Sequence, residues 1–157
     1  MELDAAAVLD AGRRDAEVVL VAHQTTLLIA DGKDAAIFTS RQVVAGQSPC
    51  EAFSIGQKIS TALVDVVRLI EIRPRYVLAK GGITSSDIAT RALNVKRAMV
   101  RGQVLPGVPV WGLGPESRYP GLPYVVLPGN VGTPDSLAQI VRLRGKCPSA
   151  VYSSEGA

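Results

Sequence analysis

Two glycine-containing turns hold the residues best suited to chemistry. The first covers residues 81–86 (Gly-Gly-Ile-Thr-Ser-Ser), and the second covers residues 129–135 (Gly-Asn-Val-Gly-Thr-Pro-Asp). Each turn follows a short apolar run typical of a buried strand and precedes a helix start. Glycine lets the backbone approach a ligand closely, and a helix N-terminus offers unpaired N–H donors with a partial positive charge. The two turns therefore predict a site for an anion, with the phosphates of a nucleotide as the first candidate.

The first turn also has a purely structural interpretation, in which Thr84 or Ser85 caps the following helix. Its row of small and hydroxyl residues supplies more donors than a cap requires, which favours a ligand. Lys80 precedes the turn within reach of a phosphate, although a lysine at a strand end is more often a solvated surface charge. The turn is not a P-loop, because this lysine comes before the glycines.

The second turn contains a helix start of its own. Thr133 is placed as the N-cap, Pro134 at the first helical position and Asp135 near the positive end of the helix. Residues 129–132 are not explained in this way, since two glycines and an asparagine all tolerate positive φ. Such backbone forms a concave nest of N–H groups. The ligand-binding residues predicted here are Gly129, Asn130 and Gly132.

Candidates for catalysis and metal binding are weaker. His23 is the lone histidine and lies in an apolar stripe, so we expect a core or rim residue. Asp87 is placed to hold Mg²⁺ on a nucleotide, although stabilisation of the helix dipole also explains an acid there. No set of His, Cys and Asp residues has metal-ligand spacing, and no GxSxG motif occurs. We predict no metal site on the protein, and the catalytic residues stay unknown.

Strands and helices alternate along the chain. Residues 15–31 read as one helix in preference to two strands joined at residues 23–24. The other expected elements are a strand at 35–39, a long helix from Ser48 to Pro74, a strand at 76–79, a helix at 85–93, strands near 98–101 and 108–111, a strand at 124–127 and a helix at 134–144. The pattern predicts an α/β fold, a single three-layer domain with a mainly parallel sheet and helices on both faces. Ligands bind at the carboxyl ends of such strands, where both glycine turns fall.

Composition narrows the function classes. The chain has 157 residues, 47% of them apolar and 20% charged, which suffices for one globular domain with a core. The net charge of +3 is scattered and aromatic residues make up 4%, which argues against a nucleic-acid partner. The longest apolar stretch, residues 18–22, is too short to span a membrane. Two cysteines outside any CxxC pair indicate a reduced, cytoplasmic protein.

The stretch from Tyr76 to Leu143 resembles the C-terminal nucleotide-binding domain of the four-carbon acid sugar kinases. The motifs that carry the resemblance are residues 79–87 (AKGGITSSD), 108–111 (VPVW), 128–132 (PGNVG) and 39–41 (TSR). The resemblance implies phosphorylation of a tetronate, such as threonate, erythronate or a dehydrotetronate, by ATP with its Mg²⁺. It also implies that ATP contacts Gly81, Gly82, Thr84, Ser85 and Gly129.

The resemblance departs from the family at the start of the chain. Family members carry an N-terminal domain that holds the acid sugar and the catalytic base, and their nucleotide domain opens with a Gly-Ser strand. We therefore expect residues 1–145 to be a nucleotide-binding domain without its opening strand, followed by a C-terminal tail at 146–157. An unpaired sheet edge would favour a homodimer or aggregation.

Two functions stay open at this point. The first is the ATP-holding half of a tetronate kinase, which needs the N-terminal domain for the sugar acid. The second is a non-catalytic module that binds a nucleotide or packs against a partner.

Overall fold

A computed structural model describes residues 1–40 and 48–145 of the chain. It divides the chain into two compact units, Met1–Pro74 and Arg75–Ala157. The predicted tail at 146–157, with Cys147, and the Arg41 position of the TSR motif lie outside the described residues. Cys50 is a free and exposed thiol.

The first unit packs three helices against a short parallel strand pair. Its elements are β1 (Glu2–Leu3), α1 (Ala5–Leu9), α2 (Arg14–Ala30), β2 (Phe38–Thr39) and α3 (Pro49–Leu69). Leu3, Val21 and Val66 are fully or almost fully buried in its core. The Ser40 hydroxyl accepts a hydrogen bond from the Ala5 N–H at 3.0 Å, which fixes the start of α1 beside the end of β2.

The helices of this unit follow the expected pattern. α2 confirms the single-helix interpretation, because the buried residues Val18, Val21 and Ala22 recur at helical spacing. α3 begins after the Ser48 cap, whose hydroxyl accepts from the Glu51 N–H at 3.2 Å. It ends at Leu69, before the expected limit at Pro74, because Ile70 takes an extended conformation and is buried. In the described parts of the chain, no helix combines the length and apolar character needed to cross a bilayer.

The second unit contains a four-stranded sheet. Its elements are β3 (Val77–Lys80), α4 (Gly82–Asp87) continued by a π-helical turn (Ile88–Ala92), β4 (Ala98–Leu105), β5 (Val108–Leu113), β6 (Pro123–Leu127) and α5 (Ser136–Gly145). The strand order is β3-β6-β5-β4, with β3 parallel to β6 and the other two pairs antiparallel. The α/β class is confirmed. The sheet is mixed because β4 and β5 form a hairpin, whose short connection through Gly107 at φ +76° forces them antiparallel.

Helices cover both faces of this sheet. Successive residues of a strand point to opposite faces. Val125 and Leu127 of β6 pack in a buried cluster with Ile140 of α5. Tyr124, one residue away, points to the other face, where its hydroxyl reaches the backbone of α4. The prediction of helices on both faces is thus confirmed for this unit.

Candidate functional site

The two glycine turns lie side by side at one edge of the sheet. β3 and β6 are parallel neighbours with Lys80 opposite Leu127, so their carboxyl ends coincide. The Gly81 N–H donates to the Leu127 carbonyl oxygen at 2.8 Å. A Cβ atom placed on Gly129 would lie 4.0 Å from the Gly81 Cα. The prediction that both turns share one sheet edge is therefore confirmed.

The first turn leads into α4 without a side-chain cap. Gly81 occupies the cap position with φ +94°, a left-handed conformation that favours glycine. The prediction of Thr84 or Ser85 as the cap is wrong, because the helix begins earlier, at Gly82. The Ser85 N–H donates to the Gly81 oxygen at 2.9 Å and closes the first helical turn. The N–H groups of Gly82, Ile83 and Thr84 precede that bond and are left to a ligand or to solvent.

Ser85 holds α4 in place through two buried hydrogen bonds. Its hydroxyl donates to the Ala79 oxygen of β3 at 3.0 Å, and its carbonyl accepts from the Tyr124 hydroxyl at 2.7 Å. The residue was predicted to contact ATP, but its side chain is 3% exposed and already bonded within the protein. The structure places Ser85 as a support of the turn, whereas the neighbouring Thr84 is half-buried at its surface.

Tyr124 was not among the predicted site residues. Its side chain is fully buried, and its ring stacks on Trp111 with centroids 6.0 Å apart and planes at 22°. A tyrosine inside a buried strand needs a hydrogen-bond partner for its hydroxyl. The tyrosine in the apolar run at 124–127 was therefore the signal in the sequence that could have indicated this role. Burial raises the pKa of Tyr124, and a hydrogen bond with the Ala89 backbone opposes this effect in part.

The raised pKa of Tyr124 predicts a pH dependence of stability. Above pH about 10 the unfolded phenol loses its proton while the folded one keeps it. The contribution of Tyr124 to the free energy of unfolding is thus complete below that pH and falls as the pH rises further. Tyr124→Phe should remove this fall and lower the free energy of unfolding at pH 7 by about 0.5–1.5 kcal/mol. Urea unfolding across this range checks it, and identical pH profiles of wild type and variant would contradict it.

The second turn has one strained position. Gly132 has φ +96°, and a Cβ atom there would lie 2.6 Å from the Ser136 Oγ. That hydroxyl accepts from the Thr133 N–H at 2.7 Å, and α5 begins at Ser136. α5 therefore begins two residues after Pro134, the predicted first helical position. Residues 134–135 form a turn before the helix, and the bond between Thr133 and Ser136 spans that turn.

The concave nest expected at residues 129–132 is only partly present. Gly132 has a positive φ, whereas Gly129 and Asn130 do not. Both of these residues are exposed at the sheet edge. The Lys80 Nζ donates to the Gly129 oxygen at 3.2 Å and links the two turns directly. The predicted positions Gly81, Gly82 and Gly129 thus meet on one surface, with Lys80 between the turns.

Asp87 and His23 are the two residues of the chain considered for catalysis or metal binding. Asp87 pairs with Arg91 at 3.3 Å, four residues further along the helix. His23 is exposed on α2, in the first unit. Among residues 1–40 and 48–145, no three metal-ligating side chains converge. This part of the chain offers backbone donors and a cation for an anion.

Comparisons with known proteins bear on this arrangement. The family model described as "Nucleotide-binding C-terminal domain" matches residues 1–137. A search of curated proteins found no match.

Among solved structures, one neighbour is a domain of unknown function (DUF1537) from Bordetella bronchiseptica, a domain-swapped dimer with bound citrate. It has a TM-score of 0.59 and 23% identity over 87% of this chain and 33% of its own. A second neighbour, a proposed tRNA synthase from Salmonella typhimurium, has a TM-score of 0.66 and 17% identity over 90% and 33% of the two chains.

These comparisons carry different weight. Identities of 23% and 17% establish a shared fold. The chain spans about a third of the length of the structures it matches. The family model, in contrast, covers most of the chain, including both glycine turns up to α5. The chain belongs to the nucleotide-binding C-terminal domain family, as its resemblance to the C-terminal domain of the four-carbon acid sugar kinases predicted.

Proposed function

We propose that this chain is the ATP-binding part of a four-carbon acid sugar kinase. The observation that carries the proposal is the meeting of two glycine turns at the carboxyl ends of β3 and β6. In open α/β sheets, ligands bind outside these strand ends. Family membership supports a nucleotide as the ligand.

The phosphates would bind against the first turn. Apart from its chain neighbours and its own helix backbone, no described residue has an atom within 4 Å of a Cβ atom placed on Gly82, so the backbone is open to close approach there. The N–H groups of Gly82, Ile83 and Thr84 point out of the start of the helix, where the dipole favours negative charge. Gly129, across the sheet edge, bounds the same surface. These groups hold an anion without any charged side chain.

Mg²⁺ fits this site only as a companion of ATP. The described residues present no cluster of acidic ligands, and Asp87 is engaged with Arg91. When bound, Mg²⁺ neutralises charge on the phosphates. The protein contributes the backbone donors that orient those phosphates.

The acceptor would be a hydroxyl group of a tetronate, bound by a domain outside the described residues. The terminal phosphoryl group passes from ATP to that hydroxyl oxygen, and the hydroxyl proton goes to a base. Within the described residues, His23 is exposed and the Asp87 carboxylate pairs with Arg91.

The test uses the protein encoded by the complete reading frame that contains this chain. Release of ADP is measured with Mg-ATP and a panel of four-carbon acids, including threonate, erythronate and dehydrotetronates. Turnover with one of these acids, dependent on that acid, supports the proposal. Nucleotide binding without turnover on any acid would favour the non-catalytic module instead, and absence of nucleotide binding would overturn both.

A further inference from the structure

We propose that Lys80 is a catalytic residue that contacts the terminal phosphates of ATP, an inference that rests on the proposed function. Lys80 is the last residue of β3 and stands directly before the first glycine turn. Its Nζ lies 3.2 Å from the Gly129 oxygen, in the second turn. The ammonium group is thus held between the two backbone segments that form the phosphate surface.

No described carboxylate neutralises the charge of Lys80. In the part of the chain that the structure describes, no carboxylate pairs with it, whereas Lys33, for comparison, lies 3.1 Å from Asp31. A lysine ammonium has three donors, and Gly129 takes one of them. The side chain is exposed, so the remaining donors are accessible to a ligand. At this position the Lys80 ammonium supplies a full positive charge beside the backbone N–H groups of the first turn, which are only dipoles.

The hydrogen bond to Gly129 gives Lys80 a defined place. A solvated surface lysine samples many rotamers, and fixing one costs conformational entropy. Here the Gly129 carbonyl already holds the Nζ near the turn, while Gly81 is bonded to β6 through the Leu127 oxygen. The ammonium is therefore oriented by the same strand pairing that brings the turns together.

This position suits the charge that develops in phosphoryl transfer. The bond from the γ-phosphorus to the bridging oxygen of ADP breaks, and a bond to the acceptor hydroxyl oxygen forms. The acceptor proton leaves to the base of the substrate domain, and negative charge grows on the leaving oxygen. A cation fixed beside the terminal phosphates stabilises that charge without exchanging a proton.

The test compares Lys80→Met with Lys96→Met as the matched control. Lys96 is also exposed in the second unit, but it precedes β4. In the strand order, β4 is the outermost strand on the side away from β3. Calorimetric titrations of the protein encoded by the complete reading frame measure affinity for Mg-ATP, Mg-ADP and AMP. We expect Lys80→Met to lose at least about tenfold in affinity for ATP and to keep its affinity for AMP. Lys80→Arg, which keeps the charge, should recover part of the loss, and Lys96→Met should bind like wild type.

The outcomes separate this inference from the proposed function. If wild type binds no nucleotide, both the proposed function and this inference are overturned. If wild type binds ATP and Lys80→Met binds it equally well, only the inference is overturned. An equal loss for ATP, ADP and AMP with a lower melting temperature would show a structural role, which also overturns it.

Discussion

Replacing Gly82 with valine is expected to weaken binding of Mg-ATP by at least about tenfold, with the fold preserved. Gly82 does not have a positive φ and, apart from its chain neighbours and its own helix backbone, no described residue has an atom within 4 Å of a Cβ atom placed there. The valine therefore fits the protein, but it projects into the space proposed for the phosphates. Calorimetric titration of wild type and variant measures the loss.

The matched control for this substitution is Gly56→Val. Gly56 is an exposed glycine within α3 of the first unit, and the space around its Cβ position is also open. The control should bind ATP like wild type. Gly81 is a poorer choice, because at φ +94° any side chain strains the backbone. Equal affinities of wild type and Gly82→Val at equal melting temperature would place the nucleotide elsewhere.

The second large effect concerns turnover. The 157-residue chain alone should bind Mg-ATP weakly and release no ADP above background with any four-carbon acid. Phosphoryl transfer requires both substrates in position and a base for the acceptor proton. His23 is an exposed residue of the first unit, and the Asp87 carboxylate is engaged by Arg91.

The measurement is ADP release from the purified chain, beside the protein encoded by the complete reading frame as the positive control. Activity that follows the chain through successive purification steps would contradict the expectation. It would show that the chain carries its own acceptor site. A His23→Gln variant would then test whether the lone histidine supplies the base.

Much of the fold was accessible from the sequence because its signals are local. Apolar runs before the two glycine turns predicted β3 and β6 to within a residue or so. Helical spacing from Val18 onward predicted α2 correctly. Parallel pairing then explains why Gly81 and Gly129, distant in the chain, lie together.

The errors arose where tertiary contacts decide between local alternatives. Thr84 and Thr133 both satisfy the preferences of an N-cap, yet the helices begin at Gly82 and Ser136. The first start depends on the left-handed conformation of Gly81, and the second on the bond from Thr133 to Ser136. The support of the turn by Tyr124 joins residues from separate elements, so no single segment of sequence contains it.

The stacking of Trp111 on Tyr124 gives the protein an intrinsic optical reporter. Trp111 is the only tryptophan of the chain, so its fluorescence emission comes from a single known position. Its ring centroid lies 6.0 Å from that of Tyr124, whose hydroxyl holds the first glycine turn through Ser85. A movement of the Tyr124 ring alters the surroundings of the indole that stacks on it. The fluorescence of Trp111 can thus be used to follow ligand titrations and the unfolding of the second unit without a label.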